Sequence, residues 1–347
     1  MWNDLPFFQR VSIKKIDIFR KKRDLNKQYL KIMTIPYKLL PWINEDKIFW
    51  TSMSGNPRGI QLLEKNPDKI CWSFLARYPR AIGLIEKNLD KVDLSNILSV
   101  NSAAVPILEK NLDKINWYNL SMNTDSRAIR LLEKNPDKIV WSRLSYNTGA
   151  IKLLENNPGL INWHYLSLNS AAVHILEKNP DKIDWFYLSR NESPKAIQLL
   201  EKNPDKINWK WLSYNVRAIH LLEKNIDKIS WSQLSSNPSA IKLLEQNLDK
   251  IDWYYLSTMP QAIHILEKNQ DKIYWKALSE NPCAVHLFEN NQDKIYWYNF
   301  SMNPSIFTYD YDKMKKNKCH IHEELMIMLF HPKNIGKFEG WGFEYDF

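Results

Sequence analysis

The sequence is poor in the residues that give loops and active sites their freedom: 8 of its 347 residues are Gly and 3 are Cys, against 15 Trp. So little glycine leaves few places where backbone can approach a phosphate closely. No glycine-rich phosphate loop, Gly-x-Ser-x-Gly elbow or His-Glu-x-x-His helix occurs. Cys71, Cys283 and Cys319 are too few and too scattered for a disulfide framework, which fits a reducing compartment. No run approaches the roughly 18 apolar residues of a membrane span, and the N-terminus lacks the apolar core of a secretory signal. An intracellular setting is therefore expected. With 44% hydrophobic and 13% aromatic residues, the chain is too rich to be disordered.

Charge is unevenly placed. The formal charge is +9, and residues 1–49 hold 11 Lys and Arg against 5 acids, or +6, leaving +3 for the rest. The run Arg20, Lys21, Lys22, Arg23 is a candidate basic contact for RNA, anionic lipid or an import receptor, although short basic runs are usually solvated surface.

Aligning the tryptophans shows the organisation. Lys-Ile-x-Trp, with Leu160 in place of Lys before Trp163, returns at Trp50, Trp72, Trp117, Trp141, Trp163, Trp185, Trp209, Trp231, Trp253, Trp275 and Trp297, usually in steps of 22 residues, and Leu94 keeps the register where one Trp is missing. The units number twelve. Two extra residues sit at 123–127 and again at 191–195, at the same connection. Self-similarity at this period is the mark of a solenoid, in which each unit packs mainly on its neighbours.

The unit starting at Trp231 shows two helix signals. Asn237 before Pro238 is an N-cap with proline in the first turn, and Ala240, Ile241, Leu243 and Leu244 follow at helical spacing. Asn247, matched in all eleven internal copies, is expected to close this helix in the left-handed conformation. A shorter second helix carries Trp and the Leu three positions on, capped by Asn116, Asn162, Asp184, Asn208 or Ser230 in their units. Neither helix persists alone at this length, so stacking must hold them. The expectation is an all-α solenoid of about twelve two-helix repeats over residues 45–304, with a core of Ala, Ile, Leu and Trp. At 8 to 10 Å per packed layer it would make a rod or superhelix on the order of 100 Å long. Residues 1–44 are expected to form a basic helical N-terminal cap, with Leu39 and Leu40 closing a degenerate helix. Residues 305–347 form the C-terminal cap, with an amphipathic helix over 323–330 and Phe338, Trp341 and Phe343 as packing aromatics. Pro106, read as interior to its helix, predicts a kink.

The pattern Trp-x-x-Leu-Ser-x-Asn-Pro-x-Ala-Ile-x-Leu-Leu-Glu-x-Asn-x-x-Lys-Ile-x-Trp, nearly intact from Trp231 to Trp253, resembles short-repeat α-helical proteins encoded in many copies by giant DNA viruses of amoebae and other protists. Asn303-Pro304-Ser305-Ile306-Phe307, Asp310-Tyr311, Glu323-Glu324-Leu325 and His331-Pro332 look like that family's ending, while Leu94, Pro106, Tyr78 and Met259 depart from its pattern. The resemblance implies a solenoid fold, a viral source, and host cytoplasm or a virus factory as the setting. It implies no particular activity.

Chemistry is sparse. The serine after Leu recurs in eleven of twelve units, including Ser145, Ser167 and Ser189, so it reads as structural rather than nucleophilic. His174, His220, His264 and His286 share a column that elsewhere holds Gln, Arg and Lys, a solvated stripe rather than a metal ladder. Cys319, His320, His322 and His331 lack the paired spacing of a zinc site. The sequence therefore predicts no enzyme, no cofactor and no metal. The two positions after each Trp vary over a fixed core and are rich in aromatics; Tyr118, Tyr165, Tyr187, Trp211, Tyr255 and Tyr298 form the candidate interaction ridge. A protein–protein interaction scaffold is the leading expectation. Modular RNA or single-stranded DNA binding is the alternative, because helical-repeat readers use short Asn, Asp and Ser codes, but the near-neutral array offers no basic stripe.

Overall fold

Among the described residues the repeating unit holds more helical pieces than the two expected. In the computed structural model, which describes residues 36–93 and 98–316, Trp231–Leu234 is a single α-helical turn, here called the Trp helix. Pro238–Ala240 is a 3₁₀ turn leading into the α-helix Ile241–Glu245, and a second 3₁₀ turn, Leu248–Lys250, leads to the next Trp. The same order recurs along the chain. The second turn was not expected from the sequence. Asn247 has φ −137° and ψ 53°, so the helix is not closed by a left-handed residue. Its side-chain amide instead donates to the Leu243 carbonyl at 2.9 Å, and Asn66, Asn135, Asn203 and Asn291 do the same in their units.

Other local features follow from residue chemistry. Asn116, Asn162, Asp184 and Asn208 accept backbone N–H groups of their Trp helices, whereas Ser230 makes no such bond. Pro106 lies in the first turn of Val105–Leu108, where its missing N–H has no intrahelical partner, so it is not the interior proline that the sequence implied. The two-residue insertions lengthen the helices that follow them to Ser126–Glu133 and Pro194–Lys202. Asp125 caps the first of these, and the bonds from Arg127 hold its carboxyl below the usual carboxylate range.

The core is aliphatic. Leu234, Ala240 and Leu244 are fully buried, as are their equivalents Leu166, Ala172 and Leu176. Trp, expected among them, is only half-buried. One face of the indole is covered by the lysine of the turn that ends the unit: Lys250 lies 4.8 Å from the Trp231 ring centroid, Lys206 4.8 Å from Trp185 and Lys69 4.3 Å from Trp50. Such pairs contribute about 0.5–1 kcal/mol each at exposed sites.

Successive units are joined by two buried polar ladders. The serine of one unit donates its hydroxyl to the Trp carbonyl of its own helix and accepts the backbone N–H just before the next Trp, as Ser235 does with Trp231 O (2.8 Å) and Asp252 N (2.9 Å). The asparagine two residues after the serine accepts a local N–H through its carbonyl oxygen and donates its amide to the preceding unit. Asn237 accepts from Ser239 N and donates to Ser213 O (3.0 Å) and Asn215 O (3.2 Å). These acceptors are the last carbonyls of a helix one or two turns long, which has no partners of its own to give them.

The array closes on itself. Phe49 N–H donates to Ser301 Oγ (3.0 Å), and the Asn56 amide donates to Ser301 O (3.0 Å) and Asn303 O (2.9 Å). These are the bonds that join every ordinary pair of neighbours. Arg58 adds a bond to Pro304 O (3.2 Å), and the Trp helices Trp50–Met53 and Trp297–Met302 pack together. Residues 41–306 are therefore a cyclic array rather than an open rod. Its twelfth unit is split between the chain ends. The turn Glu45–Lys47, with Lys47 5.6 Å from the Trp297 ring centroid, comes from the N-terminal side, and the Trp helix and Pro304–Ile306 come from the C-terminal side. The apolar end faces cover each other, as when Trp42 meets Phe300 at 6.0 Å between ring centroids.

The flanks were expected to be helical caps. Of these flanks the described part is 36–44 and 305–316: where Leu39 and Leu40 were expected to close a helix, Tyr37–Leu39 (β1) is a strand that pairs antiparallel with Phe307–Tyr309 (β2), with Lys38 opposite Thr308, and residues 311–316 are helical. The basic run at 20–23, the helix expected at 323–330 and the aromatics beyond it lie outside the described residues.

Two predictions follow from the joints. Spin labels at Thr51 and Tyr298, in a chain with Cys71, Cys283 and Cys319 replaced by Ser, should report a short interspin distance; a distance close to the length of an open rod would disprove closure. The joint between the Trp72 and Leu94 units lacks the serine, because Ala76 stands in its place. At a joint that has it, Ser235→Ala strips the acceptor from Asp252 N–H and should lower stability by about 1–3 kcal/mol in thermal or urea unfolding, the cost of a buried group left unpaired.

Candidate interaction surface

The short Trp helices leave most residues beside each indole outside the core, because the Leu three positions after Trp is the side chain that is buried and the indole itself is only partly covered. Stacking these helices unit on unit brings the neighbouring positions into one file. Of the six ridge residues read from the sequence, Tyr118, Tyr255 and Tyr298 are exposed by 44%, 38% and 40%, while Tyr165, Tyr187 and Trp211 are half-buried against one another and their neighbours.

The structure gathers them into groups rather than one even ridge. Tyr165 meets Tyr187 at 6.2 Å, Tyr187 meets Phe186 at 5.2 Å, and Phe186 meets Trp211 at 5.6 Å, a chain of rings across three units with Arg190 over Trp211. Tyr118 stands apart beneath Arg143. The unit between the groups presents Ser232 and Gln233 instead of aromatics. A second group combines Tyr254, Tyr255 and Tyr274, and a third joins Tyr296, Tyr298 and Phe49 across the closing joint, with Tyr298 and Phe49 6.0 Å apart.

Phe49, Tyr274 and Tyr296 are exposed and belong to this surface, yet the sequence reading missed them. They occupy the position before Trp, which was read only as a capping column. The available signal was the aromatic itself at a place where most units have Asn, Asp or Ser.

The other candidates have ordinary partners. Ser145, Ser167 and Ser189 use both donor and acceptor capacity in the ladder. His174, His220, His264 and His286 each meet one glutamate of the preceding unit, Glu155, Glu201, Glu245 and Glu267, at 2.8 to 2.9 Å. Among the described residues no three His, Cys, Asp or Glu side chains come together as metal ligands, and no helix is long and apolar enough to cross a membrane. Cys319, His320, His322 and His331 lie outside the described residues. A shallow cleft of about 470 Å³, lined by Trp163, Lys178, Lys182 and Glu155, lies where the turn reads Pro158-Gly159-Leu160 instead of Pro-Asp-Lys. No protein-family model matches the chain, and neither a curated protein nor a solved structure does.

Proposed function

We propose that the chain is a non-enzymatic protein–protein interaction scaffold that engages its partner through the aromatic groups of the Trp-helix face. The observation that carries this reading is the chain of rings from Tyr165 to Trp211, flanked by the exposed Tyr118, Tyr254, Tyr255 and Tyr298, over a core that repeats almost unchanged. Tyr, Trp and Arg are the side chains that most often dominate interface energy, and rings already packed on each other lose little freedom on binding.

The alternative, base-by-base nucleic acid reading, needs free polar side chains at the position before Trp. Asn116, Asn162, Asp184 and Asn208 there already accept backbone N–H groups of their own helices, which favours the protein reading. The resemblance to giant-virus repeat proteins makes a host or viral protein the partner, with host cytoplasm or a virus factory as the setting.

Affinity purification from host cells with mass spectrometry tests this. A partner held by the native chain should fall by about tenfold or more when Tyr187, Trp211 and Tyr255 are changed to Ala, with circular dichroism and melting temperature unchanged. Equal recovery with an intact fold would remove the face from the interaction.

A further inference from the structure

Four cations beside the Trp helices stack on rings other than the repeat's own indoles. Arg143 lies 4.1 Å from the Tyr118 ring centroid, Arg190 4.4 Å from Trp211, Lys276 4.6 Å from Tyr296 and Arg77 5.6 Å from Phe74. Among the described residues none of these four has a carboxylate within ion-pair distance. Lys138 and Lys195 do pair with Asp137 and Glu177, whereas among the described residues Lys69, Lys206 and Lys250 on the indoles, like these four, have no carboxylate within ion-pair distance.

The acids on this face are already engaged. Asp184 accepts the N–H groups of Phe186 and Tyr187 and pairs with His164. Asp252 accepts the N–H groups of Tyr254 and Tyr255 and the Ser232 hydroxyl, and Glu280 pairs with the Asn299 amide. A guanidinium stacked on a ring is held in place by the π-face while its N–H edge still offers paired donors, the geometry that receives a carboxylate. The face thus combines placed, unneutralised cations with aromatic surface.

We propose that this face binds an acidic, extended polypeptide segment, its carboxylates received by Arg143, Arg190 and Lys276 and its apolar side chains by the rings between them. This rests on the protein-binding reading above and adds the chemistry of the partner. A peptide fits better than a nucleic acid because the cations are spaced irregularly, absent from several units, whereas a strand with a phosphate at every nucleotide calls for a continuous basic stripe.

The test is fluorescence anisotropy of the full chain with a fluorescein-labelled peptide of repeated Glu-Glu-Tyr, alongside a Lys-Lys-Tyr peptide and an oligothymidylate. The acidic peptide should bind and weaken with salt. The combined Arg143→Gln, Arg190→Gln and Lys276→Gln variant should lose about tenfold or more in affinity, and a Lys138→Gln, Lys195→Gln control should lose little. If the triple variant fails to fold, the single variants Arg143→Gln and Arg190→Gln give the same readout at smaller size. Absence of acidic-peptide binding, affinity indifferent to the three cations, or tighter binding of oligothymidylate overturns the proposal. Should the acidic peptide fail while partner capture still depends on Tyr187, Trp211 and Tyr255, the charge inference alone falls.

Discussion

The structure depends on what happens to the backbone groups at the ends of very short helices. A helix one or two turns long cannot satisfy most of its N–H and C=O groups internally, and burying them unpaired costs more than the hydrogen bonds would have contributed. Here the missing partners come from the adjacent unit. The serine hydroxyl serves a donor that the next Trp helix leaves over, and the asparagine amide serves the carbonyls that the previous one leaves over. No unit is complete by itself, so these two columns are nearly fixed in sequence while exposed positions drift.

That dependence explains closure. In an open stack the first unit would have no serine before it, and the last would have no asparagine after it. Joining the ends gives Phe49 N–H its Ser301 hydroxyl and gives Ser301 and Asn303 their amide from Asn56, the first pair being 252 positions apart in sequence. A full turn shared among twelve units is 360°/12, or about 30° per unit, a modest rotation that recurs because each joint is built alike. Splitting the twelfth unit between the two ends makes closure part of the fold, since neither end has a whole last unit without the other. Loop-closure entropy grows only with the logarithm of length, so the large separation adds little to the cost once the intervening units have folded.

How much of this was legible follows from the range of each interaction. Asn237 was readable as a helix cap because its carbonyl acts two residues away, at Ser239; the work of its amide depends on where the preceding unit lies and leaves no local mark. The twelve-unit register was plain from Trp and Lys-Ile, yet the pairing of Lys250 with Trp231 across the unit was not, and the indole was assigned to the core although it is a half-buried wall under a cation. Curvature is the sum of small rotations, and nothing in a single unit records their total, which is why the sequence left a rod or superhelix open where a cycle exists. The aromatic face was partly legible for the opposite reason: Tyr118 and Tyr255 stand at positions that vary over a fixed core, and that contrast is visible in sequence. Phe49, Tyr274 and Tyr296 stand at a position whose usual capping role concealed them.

The same economy bears on function. The Ser and Asn columns and the aliphatic core are committed to joints, and the closing lysines are committed to the indoles. Variation without loss of fold is therefore left mainly to positions such as those flanking Trp, where Tyr, Phe, Arg, Ser and Gln alternate from unit to unit. A surface assembled from such positions changes one patch at a time while its neighbours stay in place, since each unit contacts mainly the units beside it. The proposed recognition of a protein partner draws on that separation, since one patch can be exchanged without disturbing the joints on either side.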